Sequence, residues 1–151
     1  MKPTPKAWPR MSSTLFYADA SKSIDWLCRA FGFEVRIKVE GDQGRIEHSE
    51  LVFGDGVIMV ASEGSSEKDP ARGRWRSPQS VDGANTQCIM VYVDDADAHC
   101  VRARTAGARV FHEPQIHDYG EDHWADRSYG AVDPEGHHWW FTERVRDPKT
   151  K

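Results

Sequence analysis

The chain has 151 residues, of which 38% are hydrophobic and 29% charged, and its formal net charge is −4. These values are typical of a folded globular protein and exclude a chain that stays disordered for lack of an apolar core. The lysines and arginines form no block along the sequence. Binding to nucleic acid or to an anionic membrane surface is therefore not indicated.

The N-terminus and the cysteines bear on the compartment. The first residues, MKPTPKAWPR, lack the apolar run of a signal peptide, and the most apolar windows are too short and interrupted for a membrane span. The chain has an odd number of cysteines, Cys28, Cys88 and Cys100, and they show no CxxC spacing. Neither a disulfide framework nor a structural zinc site is therefore expected. We therefore expect a cytoplasmic protein.

The first half of the chain predicts an arm, a strand, a helix and three more strands. Residues 1–10 hold three prolines and predict an extended arm that Trp8 can anchor. Within residues 11–63, STLFYAD, FEVRIKVE, RIEHSELVF and VIMVAS are predicted strands, and SKSIDWLCRAFG has the apolar spacing of a helix. Asp19 or Ser21 can cap this helix, and Gly32 can end it.

A long connector follows at residues 64–85, which are polar and rich in glycine, proline and serine. A loop of this length inside a compact domain is usually functional or disordered. Trp75 is its one large apolar side chain.

The same order of elements is predicted again over residues 86–145, before a tail at residues 146–151. TQCIMVYVDD is a strand and ADAHCVRARTAG a helix whose apolar residues are mostly alanine. ARVFHEPQIHD is a strand broken by Pro114, and WADRSYGAVD and HHWWFTERV are the last two strands.

Three residues around the first helix recur 75 positions later. Tyr17, Asp19 and Gly32 correspond to Tyr92, Asp94 and Gly107. We interpret this as the internal duplication of a βαβββ module, although an aromatic residue, an aspartate and a glycine around a helix can also recur by chance. The predicted fold class is α+β, with two tandem βαβββ modules.

The segments FYADASKSIDWLCRAFGFEV, GDGVIMV, VYVDDADAHCVRARTAGA and DPEGHHWWF resemble the vicinal oxygen chelate superfamily of glyoxalases, bleomycin-resistance proteins and extradiol dioxygenases. The resemblance covers almost the whole chain except the arm and the tail. It implies that the two modules curve into an open, barrel-like mixed sheet, with the helices outside and a ligand cavity on the concave face. It also implies a homodimer.

The metalloenzymes that the chain resembles hold a divalent ion with His, Gln or Glu near the starts of strands one and five and within strands four and eight. The matching positions here are, in chain order, Ser12 or Ser13, Met59, Cys88 and Trp140. Only Cys88 is a plausible ligand, so we expect no metal and no other cofactor. The adjacent His137 and His138 point to opposite faces of a strand and do not hold one ion together.

A relocated metal site is the alternative, and with it a metal-dependent lyase, isomerase or dioxygenase. His48 and Glu50 share one face of the third strand, and Glu63 ends the fourth. His112, His117 and His123 lie in the irregular stretch before the seventh strand. Nothing in their spacing requires a metal.

With the usual ligand positions replaced, the cavity is expected to be apolar and aromatic, which suits a planar or hydrophobic small molecule. In the stretch HDYGEDHWADRSYG, Arg127 either pairs with a carboxylate or phosphate on that ligand or, as we favour, with Glu121, Asp122 or Asp126 in a local ion pair. The predicted ligand-binding residues are Phe16, Met59, Cys88, Met90, Tyr92, Trp124, Arg127, Tyr129, His138 and Trp140.

We therefore predict a metal-independent protein that binds a small molecule, as the bleomycin-resistance branch of the superfamily does, and we assign no catalytic residue. The competing interpretation is that the large side chains pack against each other and fill the core, which would leave an interaction module without a cavity.

Overall fold

The computed structural model describes residues 1–67 and 70–149, and the chain divides into two compact units between Ala84 and Asn85. Residues 68 and 69 of the predicted connector and residues 150 and 151 of the predicted tail lie outside the described residues. Within the described residues, each unit contains four strands and one α-helix in the order βαβββ, so the α+β class and the two predicted modules are confirmed.

The first unit is a four-stranded mixed sheet with a helix on one face. Its elements are β1 (Ser13–Tyr17), α1 (Ala20–Phe31), β2 (Glu34–Glu40), β3 (Ile46–Phe53) and β4 (Gly56–Ser62). The strand order is β1-β4-β3-β2, with β1 parallel to β4 and the other pairs antiparallel. The apolar core between the sheet and α1 includes Leu15, Tyr17, Ile24, Leu27, Phe31, Leu51 and Val60.

α1 begins and ends at the residues that the sequence indicates. Of the two candidate caps, the Asp19 carboxylate is the one used, since it accepts a hydrogen bond from the Lys22 N–H at 3.1 Å. Gly32 ends the helix in the left-handed conformation, with φ at 84°.

The second unit repeats this topology. Its elements are β5 (Cys88–Tyr92), α2 (Ala96–Thr105), β6 (Arg109–Asp118), β7 (Ala125–Val132) and β8 (His138–Arg146), in the order β5-β8-β7-β6. Trp139 and Phe141 are fully buried on the helix side, where the ring of His99 from α2 lies 4.3 Å from that of Phe141. In each unit we call the opposite side of the sheet the open face.

The duplication is present, but the offset of 75 at the first strand was wrong. The helix starts Ala20 and Ala96 are 76 residues apart, and the helix caps are Asp19 and Asp95 rather than Asp94. Tyr17 is fully buried whereas Tyr92 is 49% exposed, so the two do not share an environment. The residue that corresponds to Tyr92, on the open face of its own sheet, is Phe16.

β6 continues through Pro114 instead of breaking there. β6 is an edge strand, and a proline is tolerated at an edge because its missing N–H can face away from the neighbouring strand. The pairing with β7 is irregular on both sides of His112, between Val110 and Gln115. The predicted break is therefore an irregular region of one strand.

The described part of the connector is fastened to the first unit. It contains short 3₁₀ helices at Pro70–Arg74 and Pro78–Val81. The Glu63 carboxylate accepts hydrogen bonds from the Ser77 N–H at 2.6 Å and from the Ser80 hydroxyl at 2.7 Å.

The N-terminal arm is held by an arginine of β2. The Arg36 guanidinium lies 4.7 Å from the centre of the Trp8 ring and donates to the Ala7 carbonyl at 2.6 Å. Trp8 thus takes part in anchoring the arm, as the sequence suggested.

Within the described residues, neither helix combines the length and the apolar character that a membrane crossing requires.

Candidate functional site

Three strands of the second unit present a row of side chains to its open face. The register pairs Met90 with Trp140 and Tyr92 with Thr142 across β5 and β8. On the far side of β8, Trp140 pairs with Gly130 and Thr142 with Ser128 of β7. Met90 and Tyr92 are about half exposed, at 53% and 49%. Large apolar groups that remain accessible in this way mark a surface that can bind a partner or a ligand.

A pocket of about 390 Å³ lies on this face. Its aromatic and sulfur-containing lining is Met90, Tyr92, Tyr119, Trp124 and Trp140, and its polar lining is Asp126, Ser128, Thr142 and Arg144. The volume lies within the range that small-molecule sites usually have. An apolar lining with a few polar groups is also typical of such sites.

Arg144 and Asp126 form a charged pair inside the pocket. The Arg144 Nε–H donates to the Asp126 carboxylate at 2.5 Å, and Asp126 is only 8% exposed. Arg144 also donates to the Tyr92 hydroxyl at 2.7 Å, and its guanidinium lies 5.5 Å and 5.7 Å from the ring centres of Tyr92 and Trp124. The hydrogen bond with Asp126 raises the pKa of Arg144 above its usual value, so this side chain is always cationic.

Phe111 of β6 extends the aromatic surface beyond the pocket. Its ring centre lies 5.4 Å from that of Trp140 and 5.0 Å from that of His138. A Cβ atom at Gly130 would clash with the Phe111 ring. The glycine therefore allows Phe111 to lie over β7 and to contact Trp140.

The segment of residues 119–124 supplies Tyr119 and Trp124 to the pocket and is fastened by Arg146. The Arg146 guanidinium donates to both carboxylate oxygens of Asp118, at 2.9 Å and 2.5 Å, and to the Gly120 carbonyl at 2.9 Å. The rings of Tyr119 and Trp124 contact each other, with centres 5.0 Å apart. The hydrogen bonds from Arg146 lower the pKa of Asp118 to about 2.

Substituting Asp118→Asn is expected to loosen this segment at neutral pH. The folded-state pKa of Asp118 lies below its usual value of 3.8, so the link to Arg146 is complete above that pH and is lost as the pH falls toward about 2. Chymotrypsin should cleave D118N faster than the wild type after Tyr119 and Trp124 at pH 7. The matched control is Asp122→Asn, because the interaction of Asp122 among the described residues is an exposed ion pair with Lys149 at 3.4 Å.

An NMR titration of the Asp118 carboxyl group should give a midpoint near 2. A midpoint at the usual value, or equal cleavage of D118N and D122N, would show that Arg146 does not fasten the segment.

Two predicted ligand-binding residues, Arg127 and Tyr129, lie on the helix side of β7 instead. Tyr129 is fully buried, its hydroxyl oxygen is 2.5 Å from Nδ1 of His99, and burial raises its pKa. Arg127 pairs with Asp97 in α2, with Nε and Nη2 each 2.7 Å from a carboxylate oxygen. Its acidic partner is therefore Asp97 and not Glu121, Asp122 or Asp126, and neither residue reaches the pocket.

The structure brings four of the ten predicted residues together in the pocket: Met90, Tyr92, Trp124 and Trp140. Cys88 and His138 are register partners at the starts of β5 and β8, on the same open face. His137 is buried whereas His138 is half-buried, in agreement with their predicted opposite faces. The pocket residues outside the predicted set are Tyr119, which belongs to the candidate stretch HDYGEDHWADRSYG, and Asp126, Ser128, Thr142 and Arg144.

The other two predicted residues, Phe16 and Met59, lie on the open face of the first sheet. Thr14 is the register partner of Met59, and its hydroxyl is 3.9 Å from the Met59 sulfur. Trp75 from the connector packs on Phe16, with ring centres 4.4 Å apart. No sequence pattern predicts this contact, because Trp75 stands alone in a polar stretch.

The side chains at the superfamily's metal-ligand positions do not suit a hard divalent ion. The Ser12 hydroxyl donates to the Val57 carbonyl at 2.6 Å, and the two strand-four and strand-eight positions hold the thioether of Met59 and the indole of Trp140. Among residues 1–67 and 70–149, no three His, Cys, Asp or Glu side chains are grouped as a metal site would need.

The pair His48 and Glu50, a candidate for a relocated site, is already engaged. His48 Nε2 is 3.3 Å from the Glu50 carboxylate, which also accepts a hydrogen bond from Arg36 at 2.7 Å. Burial alone would raise the pKa of Glu50, but the hydrogen bonds from Arg36 and His48 outweigh it and lower the pKa. Glu50 is thus a buried anion with a cationic partner.

Known proteins share both the sequence pattern and the fold. Mb0911c, an uncharacterized protein of Mycobacterium bovis, is 31% identical over 140 residues, which cover 92% of this chain and 86% of the relative. TioX from Micromonospora sp. ML1 has a crystal structure with a TM-score of 0.67 at 31% identity, over 89% of this chain and 95% of TioX.

TnmS3, an antibiotic binding protein from Streptomyces sp. CB03234, shares the fold with a TM-score of 0.59 at 17% identity, over 89% of this chain and 93% of TnmS3. The sequence model of the Glyoxalase/Bleomycin resistance protein/Dioxygenase superfamily matches residues 11–141. The chain therefore belongs to the Glyoxalase/Bleomycin resistance protein/Dioxygenase superfamily.

Proposed function

We propose that the protein binds a planar, largely apolar small molecule on the open face of the second sheet, without a metal ion and without covalent chemistry. The observation that carries the proposal is the pocket of about 390 Å³ in which exposed aromatic side chains surround the Arg144–Asp126 pair. We also propose that the protein is cytoplasmic and, by resemblance to the family, that it forms a homodimer.

Burial of the exposed lining supplies the driving force. Met90, Tyr92, Tyr119 and Trp124 all leave much of their surface in water. Apolar surface removed from water contributes about 25 cal/mol per Å², so a flat ligand that covers ~100 Å² of this lining gains about 2.5 kcal/mol from the protein side alone. Stacking on Tyr92 and Trp140 adds to this and favours aromatic ligands.

Two further observations support the proposal, the first its metal independence and the second the binding of a small molecule. The thioether of Met59 and the indole of Trp140 stand where the resembled metalloenzymes carry ligands. TnmS3, which shares the fold, is an antibiotic binding protein, so this architecture is used for small-molecule binding elsewhere.

The test is a fluorescence titration with 8-anilinonaphthalene-1-sulfonate, a planar aromatic probe, before and after dialysis against EDTA. We expect saturable binding that EDTA leaves unchanged. Trp124→Ala should weaken it by about tenfold, as expected for the loss of one aromatic wall. The matched control is Trp75→Ala, another partly exposed tryptophan, which lies in the first unit.

Two results would contradict the proposal. If both variants weaken probe binding equally, the pocket is not the binding site. A stoichiometric divalent ion in protein purified without chelator, together with loss of probe binding on its removal, would favour the metal-dependent enzyme instead.

A further inference from the structure

We propose that Arg144 sets the charge preference of this pocket, so that it accepts planar molecules bearing a negative charge or hydrogen-bond acceptors and rejects planar cations. The inference rests on the proposed function, because it concerns the ligand of the same pocket.

The Arg144 guanidinium occupies the cation position of an aromatic cage. It lies within 6 Å of two ring centres, at 5.5 Å from Tyr92 and 5.7 Å from Trp124, which is the range of cation–π contacts. Asp126, the anion that completes such a cage, is 8% exposed and accepts from Arg144 Nε at 2.5 Å. Two aromatic faces with a buried carboxylate are the groups that recognise organic cations, and here the chain supplies the cation itself.

Arg144 is held in this position from three sides. Besides Asp126, it donates to the Tyr92 hydroxyl at 2.7 Å and to the exposed carboxylate of Asp147 at 3.3 Å. A guanidinium has more N–H donors than these three bonds use, so among the described residues it keeps donor capacity toward a ligand. A carbonyl, phenolate, carboxylate or sulfonate on a planar ring can therefore bind it while the ring stacks on the aromatic lining.

The same arrangement disfavours a cationic ligand. A second cation in the pocket would be close to the guanidinium and would find the Asp126 carboxylate already paired. Two other ion pairs of this unit, Arg146 with Asp118 and Lys149 with Asp122, each have no net charge. Removal of the Arg144 charge alone would leave an aromatic cage with a bare carboxylate.

The test compares two planar dyes of opposite charge, anionic 8-anilinonaphthalene-1-sulfonate and cationic thioflavin T. The wild type should bind the anionic dye at least about tenfold more tightly. Arg144→Met should weaken the anionic dye and strengthen thioflavin T, each by about tenfold, and so reverse the preference. The double variant Arg144→Met/Asp126→Asn, which has no unpaired buried charge, should show no preference for either dye.

The matched control is Arg104→Met, which changes the net charge equally but removes an exposed arginine of α2 that pairs with Glu113. Its dye preference should stay that of the wild type. The proposed role of Arg144 is wrong if R144M folds and keeps the wild-type dye preference, or if R104M shifts the preference as much as R144M does. The proposed function stands in either case. If the wild type binds neither dye, both proposals are wrong.

Discussion

Asp133→Ala is expected to lower the free energy of unfolding by about 3–5 kcal/mol, because it removes the two carboxylate oxygens that accept three hydrogen bonds in a buried turn. Asp133 is 5% exposed and begins the DPEG turn before β8. One carboxylate oxygen accepts from the N–H groups of Glu135 at 3.1 Å and of His137 at 3.0 Å. The other accepts from the indole N–H of Trp139 at 3.1 Å, and Trp139 is fully buried.

Urea denaturation followed by circular dichroism measures this effect. Asp133→Asn keeps one side-chain oxygen as an acceptor and should lose about half as much. The control is Asp55→Ala in the turn before β4, whose exposed side chain should contribute less than about 0.5 kcal/mol. A loss below about 1 kcal/mol for D133A would show that the turn does not depend on these bonds.

Trp140→Ala is expected to weaken the binding of 8-anilinonaphthalene-1-sulfonate by about 10–100-fold, which corresponds to about 1.4–2.7 kcal/mol. Trp140 lines the pocket, and its ring also contacts Phe111 at 5.4 Å and His112 at 5.1 Å between centres. Its removal therefore takes away a stacking surface and also frees the neighbouring rings to move.

The dissociation constant of the dye, measured by fluorescence titration, tests this expectation. Trp140→Phe is the matched control, because it keeps an aromatic ring on the same face, and it should remain within about threefold of the wild type. Wild-type affinity in W140A would mean that the ligand does not stack at this position, even if the protein binds the dye elsewhere.

The elements of the fold could be predicted because their signals are local. The apolar spacing of α1, its aspartate cap and its terminal glycine all lie within fourteen consecutive residues, 19–32. The offset between the modules was misjudged because matching identities aligned Tyr17 with Tyr92. Which face of a strand is buried depends on its neighbours in the sheet, so a buried and an exposed tyrosine look alike in the sequence.

The site was harder to predict for the same reason. Alternation along β8 shows that Trp140 and Arg144 share one face of the strand. Only the pairing of Trp140 with Gly130 shows that Tyr129 and Arg127 of β7 point to the other face of the sheet. The residues around Asp126 in the sequence do not indicate that its side chain is buried, because its burial depends on the ion pair with Arg144 of the neighbouring strand. Whether the aromatic residues leave a pocket or fill the core is decided by packing, which no local pattern encodes.

Pro114 has a consequence for how the protein behaves at high concentration. A strand at the edge of a sheet is a template onto which another chain can add, and this is a common route to aggregation. Because proline has no N–H, the ladder that β6 could offer to an incoming strand is interrupted at Pro114. On the edge strand β2 of the first sheet, Arg36 and Lys38 alternate with exposed Val35 and Ile37 and oppose the same process by charge. A protein that leaves aromatic side chains open to solvent thus carries deterrents to edge-to-edge aggregation on one outer strand of each sheet, β2 and β6.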